Sequence, residues 1–179
     1  MRAVIAAPIG NVVNFTNWAP LDAYSQTVFN NVTGIYTTPE SGDYVIQLVA
    51  NYMTNTTMPY DEADVPNTPY VELYDVDTDE SLIASVLTGV VINVVVPPPS
   101  SGLPPTIISA GSLTNAGQVR ISVMIPLTMG QRVRIRAVSN GFTYDGLFPN
   151  PHINFNPSPN LDTTLTIFKV RNSAVQILM

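Results

Sequence analysis

Prolines and glycines interrupt this chain along its whole length. The sequence holds 16 prolines and 10 glycines, and the segments between them are short and rich in Val, Ile, Thr, Tyr and Phe, whose side chains suit a pleated strand. A helix needs apolar residues three and four apart over about ten proline-free positions, and only the stretch 79–87 resembles that pattern. The sequence therefore predicts an all-β protein, with residues 1–179 forming a single domain.

Alternation of residue types identifies the clearest strands. One face of the segment 43–54 is aromatic or aliphatic throughout and carries Tyr44, Ile46, Leu48, Ala50 and Tyr52. The segments 118–127 and 132–138 also alternate, and the linker 128–131 has the length of a hairpin connection. We therefore predict that these two segments pair as a β-hairpin.

The other predicted strands are shorter. They lie at 2–7, 12–16, 26–29, 34–38, 70–76, 106–112 and 161–170, with one or two more within 81–96. Between them we predict loops at 55–69 and 142–160, a Pro-rich extended excursion at 97–105 and a C-terminal tail at 171–179. About ten closely spaced strands without interleaved helices indicate an antiparallel jelly-roll sandwich.

Charge and residue types exclude several classes of function. Lys and Arg total 7 and Asp and Glu total 13, a net charge of -6, whereas nucleic-acid binding needs clustered cations. The absence of Cys and the single histidine, His152, exclude disulfides, thiolate metal sites and a multi-histidine metal centre within one chain. No nucleophile elbow, phosphate-binding loop or dinucleotide fingerprint occurs. We therefore predict a protein that is not an enzyme and uses no cofactor.

The low content of charge indicates how the surface is covered. Charged residues make up 11% of the chain and apolar residues 45%, against about a quarter charged in an ordinary domain. We therefore expect faces buried against further copies of the chain, or an exterior built from Thr, Asn, Ser and Pro. No basic start followed by an apolar run, and no apolar run of about 18 residues, is present, so we expect no membrane insertion.

Three carboxylates alternate at Asp75, Asp77 and Asp79, as they do in a calcium-binding loop. The EF-hand loop needs Gly at its sixth position and Glu at its twelfth, and this sequence has Glu80 and Val86 there. An acidic turn at the end of a strand is the favoured interpretation, and weak calcium binding by the three aspartates is the alternative.

Four arginines form the one basic cluster. Arg132, Arg134 and Arg136 alternate along one segment, which places them on one face, and Arg120 lies on the segment predicted to pair with it. The favoured interpretation is a solvent or subunit face on which the arginines pair with carboxylates or cover apolar surface. The alternative is an anion or glycan site.

The run from Gly34 to Tyr44 resembles a known signature. It reads G-I-Y-T-T-P-E-S-G-D-Y and matches G-x-[FY]-x-x-P-x-x-G-x-Y of the globular heads of complement component one, subcomponent q, and their tumour necrosis factor-like relatives. The matched positions, with further structural candidates elsewhere in the chain, are Phe15, Gly34, Tyr36, Pro39, Gly42, Tyr44, Gly130 and Phe168. The sequence departs from the family where Thr166 and Ile167 replace the usual glycine region, and where residues 90–115 look like an insertion.

The resemblance implies a fold and a role. It implies a ten-stranded jelly roll that forms a homotrimer, does not catalyse, and stands at the tip of a stalk or fibre on a spore, cell or virion surface, in contact with other surface proteins or glycans. The bland, Cys-free composition is more similar to bacterial or viral members than to animal ones. Two alternatives stay open: a viral capsid or fibre jelly roll, and a carbohydrate-binding β-sandwich.

Overall fold

The computed structural model describes residues 6–8, 12–19, 25–54, 58–60, 68–96, 106–140, 152–155 and 163–170. This part of the chain is nearly all β, with a single helical turn, α1 (Ser25–Val28). The strands in chain order are β1 (Ala6–Pro8), β2 (Val12–Asn14), β3 (Phe29–Asn30), β4 (Ile35–Thr37), β5 (Gly42–Thr54), β6 (Met58–Tyr60), β7 (Tyr70–Asp75), β8 (Glu80–Val86), β9 (Gly89–Val96), β10 (Thr106–Leu113), β11 (Ala116–Leu127), β12 (Arg132–Val138), β13 (His152–Asn154) and β14 (Thr164–Lys169).

The strands form three antiparallel sheets. The first sheet has the order β1-β13-β5-β11, with β14 also paired to β5, and the second has the order β3-β4-β12-β7-β8, with β2 also paired to β12. The third is a small sheet of order β6-β10-β9. The chain passes from the second sheet to the first between β4 and β5, and back again between β11 and β12. These crossings between two packed antiparallel sheets define the jelly-roll sandwich that the sequence predicts.

The core lies between the first and second sheets. The predicted apolar face of β5 is buried along its whole length, from Tyr44 to Tyr52. The inner faces of β12 and β7 supply the opposing layer with Val133, Ile135 and Leu73, all fully buried. Burial of each such aliphatic side chain stabilises the fold by about 1.5–3 kcal/mol, so the two alternating patterns hold the sheets together.

The predicted hairpin of 118–127 with 132–138 is wrong. β11 pairs with β5 in the first sheet, whereas β12 pairs with β2, β4 and β7 in the second. In a sandwich, strands of both sheets bury one face against the same core. An alternating pattern therefore shows which face of a strand is buried, but it does not show which strand lies beside it. Residues 128–131 therefore carry the chain across the sandwich.

Other predicted boundaries also need correction. The segment 26–29 is mostly the helical turn α1, because four residues carry little strand preference of their own. Two strands lie within predicted loops: β6 in 55–69 and β13 in 142–160. β6 pairs with β10, and β13 pairs with β1 and β5. These strands form because of pairing with distant segments, which the local sequence does not reveal. The predicted excursion at 97–105, the tail at 171–179 and Phe142 lie outside the described residues.

The third sheet occupies the segment that looks like an insertion. β9 and β10 pair from Gly89 with Leu113 to Val96 with Thr106, and β6 lies on the other side of β10. The segment 81–96, predicted to hold one or two strands, holds β8 and β9 in different sheets. β9 and β10 therefore form an antiparallel pair in a sheet separate from the two that enclose the core.

Candidate functional site

The signature residue Gly34 lies against the chain at Phe15. Gly34 has a φ of +71°, and a Cβ at this position would lie 1.9 Å from the Phe15 carbonyl oxygen and 3.1 Å from Trp18 Nε1. The Trp18 indole N–H donates to the same carbonyl at 2.8 Å. Position 34 therefore admits only glycine, and its role is structural.

Tyr36 and Tyr44 lie in the core, one from each sheet. Their rings meet edge to face with centroids 6.3 Å apart, and the Tyr44 hydroxyl donates to the Glu40 carbonyl at 2.7 Å. Pro39 lies in the connection between β4 and β5, and Gly42 is the first residue of β5. That connection joins two sheets rather than two neighbouring strands of one sheet.

The connections at 38–41 and 128–131 are hydrogen-bonded to each other. The Gly130 N–H donates to the Thr38 carbonyl at 2.8 Å, and the Thr38 N–H donates to the Gln131 carbonyl at 2.9 Å. The Met129 N–H donates to Ser41 Oγ at 2.8 Å. The two chain crossings at this end of the sandwich thus stabilise each other.

The outer face of the first sheet exposes large apolar side chains. Phe168 on β14, Val45 on β5 and Met124 on β11 face one another in a single row across three strands. The exposed fractions of Phe168 and Met124 are 48% and 63%, and Met53 further along β5 is also exposed. Phe168 therefore does not pack in the core, but lies on a surface with few charges that we call the apolar face: the outward side chains of β14, β5 and β11, where apolar and uncharged polar residues are mixed.

Few charges interrupt the apolar face. Among the described outward side chains of its three strands, the charged ones are Asp43 and Arg120. The Arg120 Nε donates to Gln118 Oε1 at 2.5 Å, and Gln118 Nε2 donates to Asn51 Oδ1 at 3.0 Å. Arg120 is thus held in a polar chain that lies between the row of Phe168 and the exposed Met53 on this face.

The predicted basic cluster is divided between opposite sides of the sandwich. Arg132, Arg134 and Arg136 lie on the outer face of β12 in the second sheet, whereas Arg120 lies on the outer face of the first. The prediction that Arg120 neighbours the other three is wrong, because it depended on the hairpin that the structure replaces with a crossing.

The outer face of the second sheet carries paired charges. Arg132 Nε donates to Asp77 Oδ1 at 2.7 Å, and the Arg132 backbone N–H donates to Asp77 Oδ2 at 2.9 Å. These hydrogen bonds lower the pKa of Asp77, and the same pairing raises the pKa of Arg132. Arg136 Nε pairs with Glu72 Oε1, and Glu72 is fully buried.

The acidic turn between β7 and β8 is held by its own hydrogen bonds. Asp75 is buried, and its Oδ1 accepts from the backbone N–H groups of Asp77 and Thr78 at 2.8 and 3.3 Å. Its Oδ2 accepts from Gln131 Nε2 at 2.5 Å. Because Asp77 is bound to Arg132 and Asp79 is exposed with a φ of +60°, the three carboxylates do not converge. Nowhere in the described ranges do three His, Asp or Glu side chains form a group that could hold a metal ion.

Sequence reasoning missed three buried residues. Trp18 and Phe155 belong to an aromatic cluster with Phe15, whose ring centroid lies 6.1 Å from that of Trp18 and 5.2 Å from that of Phe155. Glu72 was also missed: it lies between Val71 and Leu73, whose side chains face the core, and it is itself buried on the opposite face of the strand. Its position opposite Arg136 depends on the pairing of β7 with β12, which local sequence does not contain.

Comparisons with known proteins find a viral relative and distant structural neighbours. No family model matches the chain. An uncharacterised protein of Acanthamoeba polyphaga mimivirus is 32% identical over 176 residues, which cover 94% of this chain and 62% of that protein. The chain therefore spans about 62% of the length of this relative.

Two solved structures are similar in fold at low sequence identity. The globular domain of a zebrafish complement 1qA protein is 13% identical, with 95% of this chain and 92% of that chain covered and a TM-score of 0.39. The Eiger TNF from S. frugiperda is 13% identical, with 99% of each chain covered and a TM-score of 0.46.

The described part of the chain contains no helix of the length and apolarity that crossing a membrane requires.

Proposed function

We propose that this chain is a non-enzymatic assembly module that forms a homotrimer through the apolar face of its first sheet. The observation that carries the proposal is the outward row of Phe168, Val45 and Met124, in which Phe168 and Met124 are exposed. Exposed apolar surface of this kind marks interfaces between proteins. The second sheet, in contrast, has the exposed ion pair of Arg132 and Asp77 on its outer face, as a face in contact with water does.

The distribution of charge along the sequence supports a large interface. From Ser81 to Val119 the chain carries no Asp, Glu, Lys, Arg or His. This stretch includes β9 and β10, so much of the third sheet also lacks the charged side chains that keep exposed strands apart. Obligate interfaces bury roughly 2,000 Å² or more in total and are largely apolar, and burial of these surfaces between copies would remove them from water.

The number of copies and the setting follow from the resemblance of residues 34–44. That resemblance implies three subunits and a place on a spore, cell or virion surface, where contacts with other surface proteins or glycans would be made. The mimivirus relative favours the virion among these settings. Arg120 then becomes a contact within the subunit interface.

Light scattering of the purified chain, combined with size-exclusion chromatography, tests the proposal. We expect a particle of three times the 19.4 kDa mass of the chain. A monomer would overturn the proposal, and a much larger particle would favour the capsid alternative.

Two matched variants locate the interface. Met124→Lys places a charge on the apolar face, and Val86→Lys places the same charge on the outer face of the second sheet. Met124 and Val86 have the same exposed fraction, 63%. We expect monomers from Met124→Lys, because an unpaired charge buried in an interface costs several kcal/mol, and trimers from Val86→Lys. Dissociation by Val86→Lys alone would place the interface on the second sheet and overturn the proposal.

A further inference from the structure

The turn between β3 and β4 carries a sequon, the sequence pattern that accepts N-linked glycans. Asn31, Val32 and Thr33 match this pattern, Asn-X-Ser/Thr, in which X is any residue except proline. All three residues are exposed, and the exposed fraction of Val32 is 65%. Both the transferring enzyme and the attached glycan need such access, because an N-linked glycan is bulky and hydrophilic.

The turn keeps its shape without the side chain of Asn31. The Asn30 Oδ1 accepts from the backbone N–H groups of Val32 and Thr33 at 3.1 and 3.0 Å. The Asn31 carbonyl accepts from the Trp18 backbone N–H at 3.0 Å. Within the ranges that the structure describes, no hydrogen bond uses the Asn31 side-chain amide. A glycan on this amide nitrogen would therefore leave the hydrogen bonds of the turn intact.

The chain has two other sequons, at residues 14–16 and 55–57. Asn14 lies in β2, which pairs with β12, and its side-chain Oδ1 is buried. Phe15, the middle residue of the same sequon, is fully buried. A glycan on Asn14 would therefore disturb the pairing of β2, whereas the sequon at 55–57 lies outside the described residues. Of the two sequons that the structure describes, the one at Asn31 can carry a glycan in the folded chain.

We propose that Asn31 is an acceptor of N-linked glycans. The inference rests on the surface setting proposed above, because a chain that reaches a surface through a secretory pathway meets the transferring enzyme. The donor is an oligosaccharide joined to a lipid through pyrophosphate. The bond between C1 of the first sugar and the pyrophosphate oxygen breaks, and a bond between the same carbon and Asn31 Nδ2 forms. Nδ2 loses one proton and the lipid pyrophosphate leaves, so the transfer needs no oxidant or reductant.

The position of Asn31 is compatible with the proposed trimer. Among the described strands, β3 forms one edge of the second sheet, and Asn31 follows β3 directly. The apolar face belongs to the first sheet, so a glycan on Asn31 would leave it free for contact between copies. Beside β3, the glycan would cover Val32 and hinder the addition of a further strand at this edge.

Peptide mapping by mass spectrometry tests the proposal. The full chain is expressed in a eukaryotic cell line behind a cleavable secretory leader, and the secreted and retained fractions are both analysed. A peptide-N-glycosidase removes each glycan and converts its Asn to Asp, which marks the site in the peptide masses. Asp79→Asn is the positive control, because it creates a further sequon with Glu80 and Ser81, all three positions are exposed, and asparagine tolerates the φ of +60°.

We expect a glycan on Asn31 of the secreted chain and none on Asn14. Thr33→Ala should abolish the glycan on Asn31, and Thr33→Ser should retain it, because the pattern requires a hydroxyl at that position. Thr16→Ala, the matched control in the other described sequon, should leave the glycan on Asn31 unchanged.

An unoccupied Asn31 would overturn the proposal, whether or not Asp79→Asn gains a glycan. A glycan on Asn14 of the secreted chain would overturn the argument from burial. Light scattering of the same fractions reports the oligomeric state separately. A glycosylated monomer would therefore contradict the trimer alone, and a trimer without the glycan would contradict the assignment of Asn31 alone.

Discussion

The Phe15 carbonyl oxygen lies where a side chain at position 34 would begin, 1.9 Å from the Cβ that any residue other than Gly34 would carry. This oxygen also accepts the hydrogen bond of the Trp18 indole, so it cannot move without breaking that bond. The close approach ties the segment before β3 to the start of β4. It explains in physical terms why the run from Gly34 to Tyr44 begins with glycine.

Gly34→Ala should destabilise the protein strongly. The added methyl group would overlap a backbone atom, and the φ of +71° is itself unfavourable for alanine. We expect a loss of about 3 kcal/mol or more in the free energy of unfolding, measured by urea denaturation. Gly130→Ala is the matched control, because Gly130 has a φ of +85° but no atom within 4 Å of the position that an alanine methyl would occupy. It should lose only about 1–2 kcal/mol, and equal losses would contradict the steric explanation.

Trp18→Phe should separate the hydrogen bond of Trp18 from its packing. Phenylalanine keeps an aromatic ring beside Phe15 and Phe29 but removes the donor to the Phe15 carbonyl. We expect a loss of about 1–3 kcal/mol for this variant, because a buried acceptor is left unpaired. Trp18→Ala should lose about 3–5 kcal/mol through the cavity it leaves. Near-equal stability of Trp18→Phe and the parent chain, by thermal and urea unfolding, would show that the hydrogen bond contributes little.

The Arg132–Asp77 pair should make stability depend on acid pH. Because pairing with Arg132 lowers the pKa of Asp77 below its ordinary value of 3.8, its contribution is fully present above that value. The contribution is lost as the pH falls through the lower pKa of the folded state. Asp77→Asn should therefore flatten the decline in unfolding midpoint between neutral and acid pH, and high salt should have a similar but weaker effect.

Glu80→Gln is the control for this pH experiment. It removes a carboxylate from the adjoining strand β8 without disturbing any ion pair in the described part of the chain. Its pH profile should follow that of the parent chain. A profile as flat as that of Asp77→Asn would assign the effect to net charge rather than to the pair.

Sequence reasoning was most successful where one pattern had one structural meaning. Strict alternation from Tyr44 to Tyr52 could only be a strand with a single buried face, and that face is buried. The same kind of pattern in 118–127 and 132–138 was compatible both with neighbouring strands and with strands on opposite sides of a core. Pairing depends on contacts with distant segments such as β5 and β7, which local sequence does not contain.

The candidate sites were harder to predict for the same reason. The alternation of Arg132, Arg134 and Arg136 placed them on one face, and the structure agrees. Their different environments follow from Asp77, Tyr74 and Glu72 on β7 and the turn after it, which the register of β12 brings opposite them. The exposure of Phe168 was likewise hidden, because an aromatic residue in a closing strand is more often a core residue.

Glu72→Ala should be among the most destabilising changes on the outer face of the second sheet. Glu72 is fully buried and paired with Arg136, so its removal leaves Arg136 without its counter-charge. We expect a loss of about 3–5 kcal/mol by urea unfolding. The double variant Glu72→Leu with Arg136→Met removes both charges at similar volume, and replacement of such a pair by apolar residues is often neutral or stabilising. It should therefore recover most of the lost stability. A double variant as unstable as Glu72→Ala would show that the loss comes from packing around Glu72 and not from the unpaired charge of Arg136.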